Sequence, residues 1–245
     1  MNQAADGTRR LGVLAFGDSI TNGGGELQWG VALQSWALWV ARGLGLPYTG
    51  YAVDGATAQD VAGAQIAAFR ERAAGADARF DLGCVYIGVN DVRRLDWDAG
   101  AFRASYEEAL RFLRGRCDRV LAVTAPLDLG RPRAGAKVAE LNAVIAHVAQ
   151  DQDALLLDLN DLGARNLVMA DHVHPTAFGQ IAIAERALDV LERDGMRVAV
   201  RPSSLVSYEI SRWQRLRGDL TYTYRHLKVS LRAAAIVAWF RLSRR

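Results

Sequence analysis

A serine hydroxyl is hardly ionised at neutral pH and becomes a nucleophile only when a base takes its proton. Ser19 stands in Phe16-Gly17-Asp18-Ser19-Ile20-Thr21, at the end of an apolar run, where a sharp turn from strand to helix can lift a hydroxyl above a sheet. Gly17 permits an unusual backbone conformation at that turn. The plainer alternative is an ordinary turn capped by Asp18 and Ser19. Of the four histidines, His147 falls in a helix-like segment and His226 in the C-terminal stretch, whereas His172 and His174 share Ala170-Asp171-His172-Val173-His174-Pro175-Thr176. Asp171 and His174 are three residues apart. On one turn the carboxylate can receive a ring N–H and aim the other ring nitrogen at the serine. His172 would have to fold back on its neighbour to do the same, so His174 is the expected base.

Acyl transfer also needs donors aimed at the developing oxyanion. Asn90, in Gly88-Val89-Asn90-Asp91, offers a neutral amide that does not depend on titration; Gly55, in Asp54-Gly55-Ala56-Thr57, offers a backbone N–H with room for close approach. Each segment alone reads equally well as a turn. No Gly-x-Ser-x-Gly elbow occurs, which argues against the α/β-hydrolase fold.

Chemistry so dispersed depends on elements that bring it to one place. Apolar runs of strand length at 11–16, 48–53, 80–87, 120–125 and 154–159 alternate with helix-like segments at 31–43, 58–73, 99–114, 137–150 and 178–193. The series predicts a parallel sheet covered by helices on both sides, with right-handed crossovers. Functional residues then belong on the loops at the carboxyl ends of the strands. Ser19, Gly55, Asn90 and the Asp171/His174 pair follow the first, second, third and fifth strands, all on one rim.

In these blocks the chain resembles the SGNH hydrolase superfamily, the GDSL-type esterases and lipases. The matching positions are Gly17-Asp18-Ser19-Ile20-Thr21, then Gly55, then Gly88-Val89-Asn90-Asp91, then Asp171-His172-Val173-His174-Pro175. The resemblance spans about residues 11–195 and implies a flavodoxin-like three-layer α/β/α sandwich on a five-stranded parallel sheet. It implies Ser19 as nucleophile, His174 as general base and Asp171 as its orienting partner. The oxyanion hole it implies is made by the backbone N–H groups of Ser19 and Gly55 with the side chain of Asn90. Neither a metal nor an organic cofactor is implied. The expected activity is a serine esterase on a small or medium carboxylic ester, whether acyl, acetyl or lysolipid-like. Its alternatives are an acyltransferase on the same machinery and a binding or scaffold protein that keeps the fold.

Three tryptophans follow the nucleophile. Trp36 and Trp39 read as rings packed between helix and sheet, while Trp29, near the glycine stretch 23–25, is a candidate wall of the substrate pocket. Arg93 is a second candidate substrate contact, for an anionic group, although a solvated charge is the default for it and for Arg94 beside it.

Beyond residue 200 the composition changes. Residues 1–200 carry 20 Lys and Arg against 25 Asp and Glu, whereas residues 201–245 carry ten against two, for a net +3 over the 245 residues. Division into a 1–200 hydrolase domain and a 201–245 basic tail follows. In the tail Trp213, Leu216, Leu220, Tyr224, Leu227, Leu231, Ala234, Ala238 and Leu242 advance by three or four residues, an amphipathic helix with Ser203 or Ser204 as its expected cap. Packing onto the body as a lid or brace, self-association, and peripheral contact with an anionic membrane are its expected roles. Nucleic acid is not an expected partner. With 51% apolar and 23% charged residues, disorder is excluded. Cys84 and Cys117 read as free thiols, and the absence of a signal-like or spanning segment makes the cytoplasm the expected location.

Overall fold

Val13–Gly17 (β1) is buried at every position, as a parallel strand sandwiched between two helical layers must be. In the computed structural model, which describes residues 10–72, 78–129, 134–163 and 166–243, β1 lies inside a five-stranded sheet. The other strands are Tyr48–Gly50 (β2), Phe80–Tyr86 (β3), Cys117–Val123 (β4) and Leu155–Leu157 (β5), in spatial order β2-β1-β3-β4-β5 and all parallel. The order reverses direction at β1, with β2 on one side and β3 on the other, and at such a switch point the loops diverge and leave a crevice.

Trp36–Leu44 (α2) and Ala177–Arg193 (α8) pack together on one face of the sheet. The opposite layer holds Ala58–Asp60 (α3), a π-helical turn Val61–Gln65, Ile66–Arg72 (α4), Ala99–Arg114 (α6) and Lys137–Asp151 (α7). Two short helices, Ser19–Asn22 (α1) and Val89–Val92 (α5), sit directly after β1 and β3. Aromatic rings fill the layers: Phe16 of β1 meets Phe69 and Phe112 edge-on, and Trp36 of α2 meets Tyr86 at 6.3 Å. Trp36 and Trp39 are buried, as their spacing indicates, and Cys84 and Cys117 are buried free thiols.

All five strands and all five main helices fall where the alternation places them, with ends that differ by a few residues. Residue 73, the expected end of the second helix, lies outside the described residues. The helix expected from 31 starts at Trp36, because the Ser35 hydroxyl accepts from the Ala37 N–H and caps it there.

The C-terminal helix also starts later than its sequence suggests. Neither Ser203 nor Ser204 caps it: Pro202–Leu205 is a 3-10 turn in which the Ser204 hydroxyl donates to the Arg201 carbonyl. The helix Arg212–Ser243 (α9) begins after Ser211, where a reciprocal cap decides the start: the Gln214 N–H donates to the Ser211 hydroxyl and the Ser211 N–H to the Gln214 side chain. Tyr222, His226 and Val229 are half-buried on the side toward the body, and Arg225 pairs with Glu26 at 2.9 Å. Trp213, Leu216, Leu220, Tyr224, Leu227 and Leu231 face solvent. The side chains of Ala238 and Leu242, which end the seam, lie outside those described.

Candidate active site

The turn after β1 is made by backbone constraint and capping together. Gly17 has φ of +155°, and a Cβ there would lie 2.5 Å from both the Tyr86 carbonyl and the Thr21 hydroxyl, so only glycine fits. Asp18 then caps α1 by accepting from the Ile20 N–H, and Ser19 is the first helical residue, half-buried at the carboxyl end of the sheet.

Two glutamines hold this turn. The Gln65 side chain, at the end of the π turn, accepts from the Gly17 N–H at 3.1 Å and donates to the Gly17 carbonyl at 2.7 Å. The Gln180 side chain, fully buried on α8, donates to the Ile20 and Gly24 carbonyls and accepts from the Trp36 N–H. Sequence reading identified neither. The available signal is a polar residue set in an apolar helical stripe: Gln65 between Val61 and Phe69, Gln180 between Ala177 and Ala184.

Ser19 and the loop before α8 meet from 155 residues apart. The Ser19 O–H donates to His174 Nε2 at 2.9 Å, and His174 Nδ1–H donates to Asp171 Oδ2 at 2.7 Å. The other carboxylate oxygen, Oδ1, accepts from the Val173 and His174 N–H groups, so the carboxylate fixes the turn as well as the ring. Pro175 and then Thr176, whose hydroxyl caps α8 by accepting from the Gly179 N–H, anchor the loop. His172 is directed elsewhere, in the left-handed region at φ +57°, with its Nε2 2.9 Å from His226 Nδ1 on α9.

The expected oxyanion donors sit on neighbouring loops. Asn90 Nδ2 donates to the Ala56 carbonyl at 2.9 Å, and the Asp91 carboxylate accepts from the Ala58 N–H, which ties the loops after β2 and β3 together. One hydrogen of the Asn90 amide is left over from that bond. Asn22, at the end of α1, donates to Asp54 at 2.9 Å, so the loop that carries Gly55 is tied to the serine turn as well. Gly55 has φ of +80° and open space where a Cβ would be.

Burial and hydrogen bonding set the charges. Asp171 is pushed up by burial, but the bonds from the His174 ring and from two backbone amides outweigh this and hold its carboxyl below the usual range. His174 is raised above the usual imidazole value, chiefly by its hydrogen bond to Asp171; burial and the Arg93 guanidinium oppose the rise. Arg94 forms an exposed pair with Asp96. Trp29 packs against Phe178 and Tyr208 and lines a groove of about 680 Å³ that Met169, Asp171 and Tyr222 also border. Among the described residues no group of three or more His, Cys, Asp or Glu is placed to hold a metal ion.

Asp18 is fully buried, and burial raises its carboxyl to about 7. Its second oxygen, Oδ2, has no hydrogen-bond partner among the described residues, which suits the protonated form. A carboxyl raised on folding favours the native state at low pH and costs stability as pH climbs from the unfolded value toward 7. Asp18→Asn keeps an acceptor for Ile20 and removes the titration. Its thermal midpoint relative to wild type should therefore be higher at pH 8 than at pH 5, as differential scanning calorimetry at the two pH values would show.

Residues 15–181 match the model of the GDSL-like Lipase/Acylhydrolase family. Solved structures with similar backbones include an acetylxylan esterase from Geobacillus stearothermophilus, at 20% identity and a TM-score of 0.57, covering 75% of this chain and 96% of that one. Structures of that enzyme include catalytic mutants in which a serine, an aspartate and a histidine three residues after the aspartate are each replaced by alanine. An alpha/beta hydrolase enzyme from the metagenome of Lake Arreo, Spain, is similar at 19% identity and a TM-score of 0.57, over 74% of this chain and 94% of that one. No curated protein matches the chain.

Proposed function

The chain belongs to the GDSL-like lipase/acylhydrolase family, a serine hydrolase acting on esters, and from that premise we propose that it cleaves a small or medium carboxylic ester through an acyl-enzyme on Ser19. The observation that carries the proposal is the unbroken hydrogen-bonded series from the Ser19 hydroxyl through the His174 ring to the Asp171 carboxylate. The acetylxylan esterase with the similar backbone has catalytic mutants at the same three residue types, in the same chain order and with the same aspartate-to-histidine spacing.

Neutral His174, its Nδ1–H held by Asp171, presents the Nε2 lone pair to Ser19. As Oγ attacks the ester carbonyl, its proton passes to Nε2 and the carbonyl oxygen takes up negative charge. The Ser19 and Gly55 N–H groups and the free Asn90 amide hydrogen stabilise that charge. When the intermediate collapses, the bond to the alkoxy oxygen breaks and His174 returns the proton to it, so the alcohol leaves neutral. Water then loses a proton to His174 and attacks the acyl-Ser19 carbonyl, releasing the acid and restoring the hydroxyl.

A fluorophosphonate probe and a panel of chromogenic esters of graded acyl length test the reading. Covalent label on the peptide that contains Ser19 is expected, and a folded protein that takes no label there would overturn it. Asn90→Ala removes one oxyanion donor and should lower kcat by about 10²–10³-fold with little change in KM. A near-normal kcat would remove Asn90 from the site.

A further inference from the structure

We propose that α9 is a membrane-docking helix that lies on an anionic lipid surface through the apolar seam it turns away from the body. Its contact side is narrow: Tyr222, His226 and Val229 are half-buried, with His226 beside His172 and Arg225 on Glu26. The seam lies on the far side. Trp213 is 79% exposed, Leu220 65%, Tyr224 66% and Leu231 70%, and Leu216 and Leu227 lie between them on the same face. A soluble protein does not leave such a stripe uncovered without a partner.

Charge identifies that partner. By helical spacing Arg217 and Lys228 stand on one shoulder of the seam, and Arg212 stands on the other beside Asp219, the only acid among residues 212–245. A surface with an apolar interior and negative headgroups satisfies the stripe and its basic shoulder together. A second α9 would match the seam but set like charges against each other. The 1–200 region of another copy is acidic, but the large exposed hydrophobic side chains among its described residues, Leu27, Val53, Leu95 and Leu127, are spread over four separate loops. No helix among the described residues is long and apolar enough to cross a membrane, so α9 lies along the surface, about 48 Å of helix at 1.5 Å per residue.

The test is co-sedimentation of the full chain with phosphatidylcholine vesicles, with and without phosphatidylglycerol, at low and high salt. Binding is expected only with phosphatidylglycerol, and weaker at high salt. The double variant Leu220→Glu/Leu227→Glu should stay in the supernatant. Arg217→Gln/Lys228→Gln should lower the partition about twenty-five-fold, roughly fivefold per charge. All variants should hydrolyse a short water-soluble ester at the wild-type rate, which shows that the body is folded. Wild-type protein that does not sediment with phosphatidylglycerol vesicles, or sediments equally with neutral ones, overturns the proposal. Analytical ultracentrifugation supplies the other overturning outcome: a dimer that Leu220→Glu/Leu227→Glu converts to monomer would make the seam a self-association face.

Discussion

Ser19→Ala should lower kcat for ester hydrolysis by about 10⁶-fold while the protein remains folded. The size follows from what remains. The oxyanion donors are untouched, so a rate about 10³–10⁴ above uncatalysed hydrolysis persists, with His174 able to assist only water. The fold should survive because Ser19 is not the cap of α1; Asp18 is, and alanine suits a first helical turn. Steady-state kinetics beside circular dichroism would separate the two effects. A variant that keeps even one hundredth of the wild-type rate would place the nucleophile elsewhere.

Asp171→Asn comes next, with an expected loss in kcat of about 10⁴-fold. The amide can donate to His174 Nδ1 where the carboxylate only accepted, which turns the ring to the tautomer whose Nε2 carries a hydrogen and cannot take the Ser19 proton. The pH profile gives a second readout. The bond to Asp171 is the main reason His174 titrates above the usual imidazole value, and the base works only when neutral. The acid limb of kcat/KM in wild type should therefore fall at a pH above the ordinary histidine value. In Asp171→Asn, whatever activity survives should have that limb at lower pH. A stability effect accompanies it: a carboxyl held low on folding contributes above its unfolded value and loses that contribution as pH falls through its folded one, so the variant should lose the acid-sensitive part of wild-type stability.

The architecture was legible because it is written in period and order. Short apolar runs such as 11–16 and 80–87 suit strands covered on both faces, and they alternate with longer helix-like segments. The site was legible where a residue's type already limits its chemistry: a serine after a strand, and a histidine three positions from an aspartate. What escaped was polar packing. Nothing in the types of Gln65 and Gln180 says that one grips Gly17 from both sides or that the other joins α1, α2 and α8, because those partners are supplied by tertiary proximity alone. The start of α9 was missed for a local reason, since Ser203 and Ser204 compete with Ser211 and only Ser211 has a glutamine three residues on. The burial of Asp18 was hidden too, as a carboxylate in a turn is ordinarily solvated.

Gln180 reaches back 160 residues to Ile20, and His174 reaches back 155 to Ser19. On a ribosome adding about 5–20 residues each second, roughly eight to thirty seconds pass between the synthesis of Ser19 and that of His174. On the proposed mechanism the nascent polypeptide carries an inert serine during that interval, and competence arrives in a single late step with the loop and helix that complete the sandwich. On the same proposal, truncation before His174 leaves a chain without its general base, so such an interrupted translation product should not attack esters in its surroundings.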